Sequence, residues 1–209
     1  MTDKTDLQAA YGLRTPDDSK RLYAAWADTY DSSFAADMDF ALPGAVAQAF
    51  ADAGGHGPVL DLGAGTGLCG AALRALNITP VDATDLSPEM LAVARRKDIY
   101  ATLFEGNLLE RLAVDDGTYA GAVSTGTFTT GHVGPEALDE VVRILAPGGL
   151  AVISVHAEHW QAQGFGDKLD ALGDAIDQFE MPLVRIYGDK GHGAHKDDLS
   201  KLLMFRRAQ

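Results

Sequence analysis

The sequence predicts a doubly wound α/β domain: a seven-stranded mixed sheet flanked by helices, with an N-terminal helical lid. Three observations carry that expectation. After Pro58, short β-rich runs alternate with helical ones, the pattern of parallel strands joined by crossover helices. The first strand-like run ends in a glycine-rich turn, Gly63, Gly65 and Gly67, that opens directly into a helix. The last two apolar runs, Leu183–Tyr187 and Leu202–Phe205, have no helix between them and so read as an antiparallel hairpin on the sheet edge.

The elements follow in order. Residues 1–12 are expected to fray. Thr15 then caps a helix with Pro16 at its first position, and Leu22, Trp26 and Tyr30 follow at four-residue spacing, with Tyr23 beside them, as one apolar-aromatic stripe. A polar break at Asp31–Ser33 ends it, and a second helix runs from about Pro43 to Ala53, closed by Gly54 and Gly55. Strands are expected at Val59–Leu62, Ile78–Thr84, Ile99–Phe104, Tyr119–Ser124 and Leu150–Val155. The intervening helices are Leu68–Leu76, Pro88–Lys97 and Pro135–Leu145, the last stopped by Pro147-Gly148-Gly149. A further helix is expected at Gly166–Phe179, before the hairpin.

At 209 residues the chain fits a single domain, with about 11–55 as the lid and about 56–209 as the core. Seventeen Lys and Arg against 30 Asp and Glu give a formal charge of −13, a field that repels phosphate backbones and anionic lipid. Nucleic acid and membrane are therefore not the expected partners. One cysteine, Cys69, allows neither an intramolecular disulfide nor a thiolate metal cluster. The first ten residues are polar and acidic, unlike a signal peptide, and no apolar run approaches a bilayer-crossing length, so a cytoplasmic location is expected.

The chemistry concentrates at strand ends. Asp61 lies in the first strand, just before the turn Gly63-Ala64-Gly65-Thr66-Gly67, where glycines let backbone pass close to a ligand and the following helix offers unpaired N–H groups. Gly65-x-Gly67-x-x-Gly70 also matches a dinucleotide fingerprint, but it starts two residues later than the strand end requires, and an acid in the strand would repel pyrophosphate. A ligand with a cationic amine suits Asp61 better. At the tip of the second strand, Asp85 has two oxygens able to accept both ribose hydroxyls of an adenosine, while Ser87 and Pro88 fit a helix cap. Asn107 follows the third strand; its side-chain carbonyl can accept from an adenine amino group, although Asn in a turn is common for local reasons. After the fourth strand, the loop Ser124–Val133 is rich in hydroxyls and glycine and faces the crevice of an open α/β sheet. His132 or His156 can serve there as general base, His132 first because of its loop; His156-x-x-His159 alone does not make a metal site.

The first of these segments resembles the opening motif of class I S-adenosylmethionine (AdoMet)-dependent methyltransferases, an acid followed by Gly-x-Gly-x-Gly. The resemblance implies that Asp61, Gly63, Ala64, Gly65 and Gly67 hold the methionyl end of AdoMet. It implies further that Asp85 binds ribose and that Leu86, Met90 and Leu108 flank adenine with Asn107 accepting from its amino group; the small loop that begins with Ser124 and Thr125 is placed either to line a substrate pocket or to pack beneath the cofactor. Asn107 is a departure, since the family commonly has an aspartate there. The run from Trp26 to Asp31 resembles the entry of many small-molecule methyltransferases, in which the N-terminal helix folds over the crevice; Tyr23, Trp26 and Tyr30 would then close it. From Tyr11 onward the chain is similar to methyltransferase-like proteins related to the Williams–Beuren-region methyltransferase. The implied function is methyl transfer from AdoMet to an O, N or S nucleophile of a small molecule. An AdoMet-binding protein without catalysis and an NAD-type oxidoreductase are the alternatives.

Overall fold

The computed structural model describes residues 15–129 and 132–209, so the fraying expected of residues 1–12 lies outside the described residues. Helix α1 (Pro16–Trp26) begins as its sequence directs: the Thr15 hydroxyl accepts from the Asp18 N–H at 3.1 Å, and Pro16 fills the first turn. The aromatic stripe outlasts the helix. Tyr30 opens a π-helical turn (Tyr30–Ala35) that carries through the polar stretch at 31–33, pinned by buried Phe34. Helix α2 (Leu42–Asp52) follows and buries Val46, Ala47 and Phe50. The Phe50 ring fills its site so closely that a Cβ on Gly55 or Gly121 would lie 2.3 Å from it, which explains glycine at both positions.

The core elements then alternate: β1 (Val59–Leu62), α3 (Leu68–Ala75), β2 (Val81–Asp85), α4 (Pro88–Arg96), β3 (Leu103–Glu105), β4 (Tyr119–Phe128), α5 (Leu138–Ile144) and β5 (Leu145–His156). The tail adds α6 (Ala157–Ala162), α7 (Phe165–Leu172), β6 (Ile176–Glu180), β7 (Leu183–Arg185) and β8 (Leu199–Arg207). Strands run in the order β3-β2-β1-β4-β5-β8-β6, with β7 also on β8. Strands β1 to β5 pair in parallel and β8 runs antiparallel to β5. β6 and β7 share one edge of β8, at its Met204–Arg207 and Leu199–Lys201 ends. The sheet thus has the seven expected positions, the outermost filled by two short segments broken at Met181 and Pro182. Pro182 has no N–H for the ladder, yet its carbonyl accepts from Leu202 N at 2.9 Å and keeps the edge in register.

Strand alternation divides the core in two. Val59, Val123 and Val152 pack on one face with α2 and α3; Leu60, Leu62, Ala122 and Ile153 pack on the other with α5 and α7. One expected helix is corrected. Gly166–Phe179 is not continuous: α7 stops at Leu172, Gly173 takes φ +47°, and Ile176–Glu180 becomes β6, paired to β8. A left-handed glycine ends the helix, and the β-branched and aromatic residues beyond it suit an edge strand. β4 likewise runs past Ser124 to Phe128, with an irregularity at Gly126 (φ +73°). β3 starts later than expected, at Leu103, because Tyr100 turns into the core. Among the described residues, no helix is long and apolar enough to cross a membrane.

Candidate functional site

Because β2 and β4 flank β1, the strand order reverses at β1, and a crevice opens beyond the carboxyl ends of these strands. Its volume, open mouth included, is about 970 Å³. The loop after β1 folds over β2, with the Gly63 and Ala64 N–H groups both donating to the Thr84 carbonyl at 2.9 and 3.0 Å. Gly63 has φ +68°, and a Cβ there would meet Thr127 Oγ1 at 2.1 Å, so the loop packs on β4 with no room for a side chain. Gly65 differs. Its φ is +54° and the position of its missing Cβ is open space, with only backbone presented to the crevice.

Asp85 anchors this loop. Its Oδ2 accepts from Gly65 N and its Oδ1 from Ser87 N, each at 2.8 Å. Burial pushes its carboxyl above the usual carboxylate range, while the N–H groups of Ser87, Gly65 and Leu86 act against that rise. Ser87 also caps α4, accepting from Met90 N at 3.3 Å, so the capping and site readings of this segment hold together.

Of the residues expected to contact a cofactor, the crevice wall brings together Tyr23, Tyr30, Gly63, Ala64, Gly65 and Asp85. Leu86, Met90, Asn107, Leu108 and Thr125 complete that set, and His132, the expected general base, lines the same wall. Four others stand elsewhere. Asp61 is fully buried beneath the loop, accepts from the Tyr100 hydroxyl at 2.6 Å, and presents no carboxylate to the crevice. Burial raises its pKa to about 7, against the pull of the Tyr100 and Gly70 hydrogen bonds. Trp26 is buried against Phe34 (ring centroids 6.4 Å apart) and Tyr23 (5.7 Å), so it braces the aromatic wall from behind. Gly67 caps α3 in the left-handed region, and the buried Ser124 hydroxyl donates to the Leu62 carbonyl at 2.7 Å, stapling β4 to β1. Asn107 lines the crevice but has local partners: its Oδ1 accepts from Leu109 N and its Nδ2 donates to Glu110, both at 3.0 Å.

A second chamber of about 630 Å³ adjoins the crevice and shares Tyr23, Tyr30, Phe40, Gly126 and His132 with it. Phe34, Phe128 and Tyr187 add further rings. His132 stands at the junction, 5.5 Å from the Tyr23 ring. Among the described residues neither of its ring nitrogens has a partner, and burial, with His159 nearby, lowers its pKa to about 4. Thr130 and Gly131 of its loop lie outside the described residues. His156 lies in the chamber wall with Nε2 3.4 Å from Asp198 Oδ2, which also takes His195 Nδ1 at 2.9 Å. His159 instead faces the Val133 carbonyl at 3.0 Å, so the two histidines of the His156-x-x-His159 pair turn to different partners.

Sequence reasoning missed Phe40, Tyr187, Ser154 and Ser200 in this chamber. Phe40 and Tyr187 meet through an isolated bridge between segments nearly 150 residues apart, and no local pattern marks such a pair. A family model for a methyltransferase domain matches residues 59–149. The chain is 30% identical over 181 residues to Methyltransferase-like protein 27 of Homo sapiens, spanning 84% of this chain and 72% of that protein. Among solved structures it is similar to a SAM-dependent methyltransferase of Thermotoga maritima, with TM-score 0.64 and 15% identity over 91% of this chain and 99% of that one. It is also similar to a TehB-like SAM-dependent methyltransferase of Corynebacterium glutamicum, with TM-score 0.59 and 22% identity over 90% and 98%. The solved structures speak to the fold; the human relative, matched along most of both chains, speaks to kinship. The chain belongs to the class I AdoMet-dependent methyltransferases, and S-adenosyl-L-methionine is its cofactor.

Proposed function

We propose that the protein methylates an O, N or S nucleophile of a small molecule held in the aromatic chamber. The observation that carries this reading is the junction: the chamber and the crevice share five wall residues, so an acceptor in one would lie against a cofactor in the other. The chamber is lined by side chains from α1, the π-helical turn, Phe40 and Leu42, β4 and its loop, β5 and the tail, a concave form suited to a compact ligand rather than a polymer.

The crevice fits AdoMet on its own terms. Open space at Gly65, on the crevice wall, suits the methionyl part, and the Asp85 carboxylate suits the ribose hydroxyls. Leu86, Met90 and Leu108 offer an apolar slot for adenine. When bound, AdoMet supplies a methyl group made electrophilic by its sulfonium. The chain's own work is then alignment and exclusion of water, and orientation alone can lower a barrier by roughly 7–11 kcal/mol. Tyr23 and Tyr30 form the roof of that arrangement. His132, neutral at physiological pH, holds a lone pair free to accept a proton from the acceptor.

Calorimetric titration with AdoMet tests the reading, repeated on Asp85→Ala with folding checked by circular dichroism. The two charge-assisted hydrogen bonds that organise the loop should make the variant bind about 100-fold more weakly. An unchanged affinity would remove Asp85 from the site. Tight binding with no methylated product across a panel of acceptors would leave a binding protein in place of an enzyme.

A further inference from the structure

We propose that the chamber selects a neutral, planar ring bearing a hydroxyl group, with that hydroxyl paired to His132. This deepens the methyl-transfer reading and rests on it. The first support is an arc of rings. From His132 it passes to Tyr23 (5.5 Å), Tyr30 (6.1 Å) and Phe34 (5.1 Å), and then to Tyr187 (6.4 Å). Such faces complement a flat π-system in offset or edge-on contact.

The second support is how two serines and two histidines of the wall are partnered. Ser154 Oγ accepts from Gly126 N, Ser200 Oγ donates to the Val155 carbonyl, and His156 pairs with Asp198. His132 alone among these four has no partner for its ring nitrogens. A neutral imidazole presents one N–H and one lone pair, and burying them unmet is costly. A hydroxyl answers it, since one O–H can donate to the lone pair and its oxygen can accept from an N–H.

Charge completes the selection. Among the described residues no Lys, Arg, Asp or Glu lines the chamber, so an anionic acceptor would find no counter-charge. Aromatic faces attract ammonium groups as well. An ammonium, however, brings three donors, and the carboxylate beside the chamber's histidine, Asp198, stands behind His156 and is shared with His195. The lowered pKa of His132 agrees, because the same burial that keeps the imidazole neutral disfavours an ammonium lodged in the chamber.

The test uses the full chain with and without saturating S-adenosyl-L-homocysteine, titrated with 2-naphthol and followed by the naphthol fluorescence. Competition with 2-naphthoate, 2-naphthylmethylammonium and naphthalene ranks the four. The expected order places 2-naphthol first by about tenfold or more over both ions, whose burial here is uncompensated. His132→Phe should reduce naphthol affinity about tenfold, to that of naphthalene, while His132→Asn, which keeps a donor and an acceptor, should retain the preference. Equal or tighter binding of either ion, or no difference between naphthol and naphthalene in the unaltered protein, would overturn the proposal. Absence of S-adenosyl-L-homocysteine binding would sink the methyl-transfer reading separately, because the ranking is also read without it.

Discussion

The cofactor crevice and the aromatic chamber share a wall but are built differently. The crevice is backbone geometry from contiguous sequence: the Gly63–Gly67 turn, Asp85 holding it from the next strand tip, and apolar residues within a few positions of each. The chamber is side-chain packing from seven segments, from Tyr23 on α1 to Ser200 on β8. Local hydrogen bonds make the first a unit that can keep its form while acceptors change. Long-range ring contacts make the second a surface that each substitution reshapes, where substrate choice can diverge on a constant fold.

Their ionisable groups separate them most sharply. Asp61, beneath the crevice loop, has its pKa raised to about 7, and His132, in the chamber, has its pKa lowered to about 4. Both groups prefer to be neutral, but the consequences for stability have opposite sign. Between about 3.9, the unfolded carboxylate value, and about 7, folded Asp61 binds the extra proton, so its contribution falls as pH rises. Between about 4 and about 6.5, the unfolded imidazole value, it is the unfolded chain that binds more at His132, so stability is lost as pH falls. Urea melts should therefore show Asp61→Asn gaining stability relative to the unaltered protein as pH rises, and His132→Phe gaining as pH falls. Each swing should be on the order of 2 kcal/mol or more. Swings of the same sign would mean that one of these groups is not desolvated as described.

The same division explains what was legible in the sequence. β1 is legible to the residue because a short buried β-rich run, a strand-to-helix turn and three glycines all act within nine positions. Asp85 was readable for the same reason. Asp61 was placed in the right strand, yet its carboxylate does not line the crevice, because the partner that takes it is Tyr100, 39 residues on and itself turned inward. Trp26 belonged to a true aromatic stripe, but which ring of that stripe faces the crevice depends on Phe34 and on a π-helical turn that helical periodicity does not announce. The break at Gly173 that sends Ile176–Glu180 to the sheet depends on β8, whose register comes from Leu199 onward.

One side chain joins the two regions, and its removal should have an intermediate effect. Asp31, in the π-helical turn, accepts from the Thr66 hydroxyl of the glycine loop at 2.5 Å through Oδ1 and pairs with Lys97 at 2.5 Å through Oδ2. Thr66 is buried, so Asp31→Ala leaves its hydroxyl unmet, and the half-exposed ion pair adds little; the sum is about 1–2 kcal/mol of stability. AdoMet affinity should fall about threefold, because one of several tethers on the loop is lost. Asp31→Asn should restore most of both, since an amide oxygen still accepts from Thr66. If Asn behaves like Ala in urea melts and AdoMet titrations, the ion pair is the true connection and the hydrogen bond is incidental.

The smallest effect belongs to a residue that lines the crevice and sits one helical turn from the chamber. Lys20 pairs with Glu105 at 2.7 Å from its place on α1, three residues before Tyr23. Its side chain is 37% exposed and that of Glu105 is 51% exposed, so water and salt screen the pair. Lys20→Ala should change stability by less than about 0.5 kcal/mol, and added salt should erase even that. The contrast with Tyr23 is the useful part. Both residues ride on one helix, yet Tyr23 is held by rings on two sides, Trp26 and Tyr30, and Lys20 carries a screened charge pair at the rim. If Lys20→Ala costs as much as Asp31→Ala in a thermal melt, α1 is latched by surface charge rather than by its aromatic face. High salt should then weaken ligand binding in the chamber, an effect that ring packing alone would not produce.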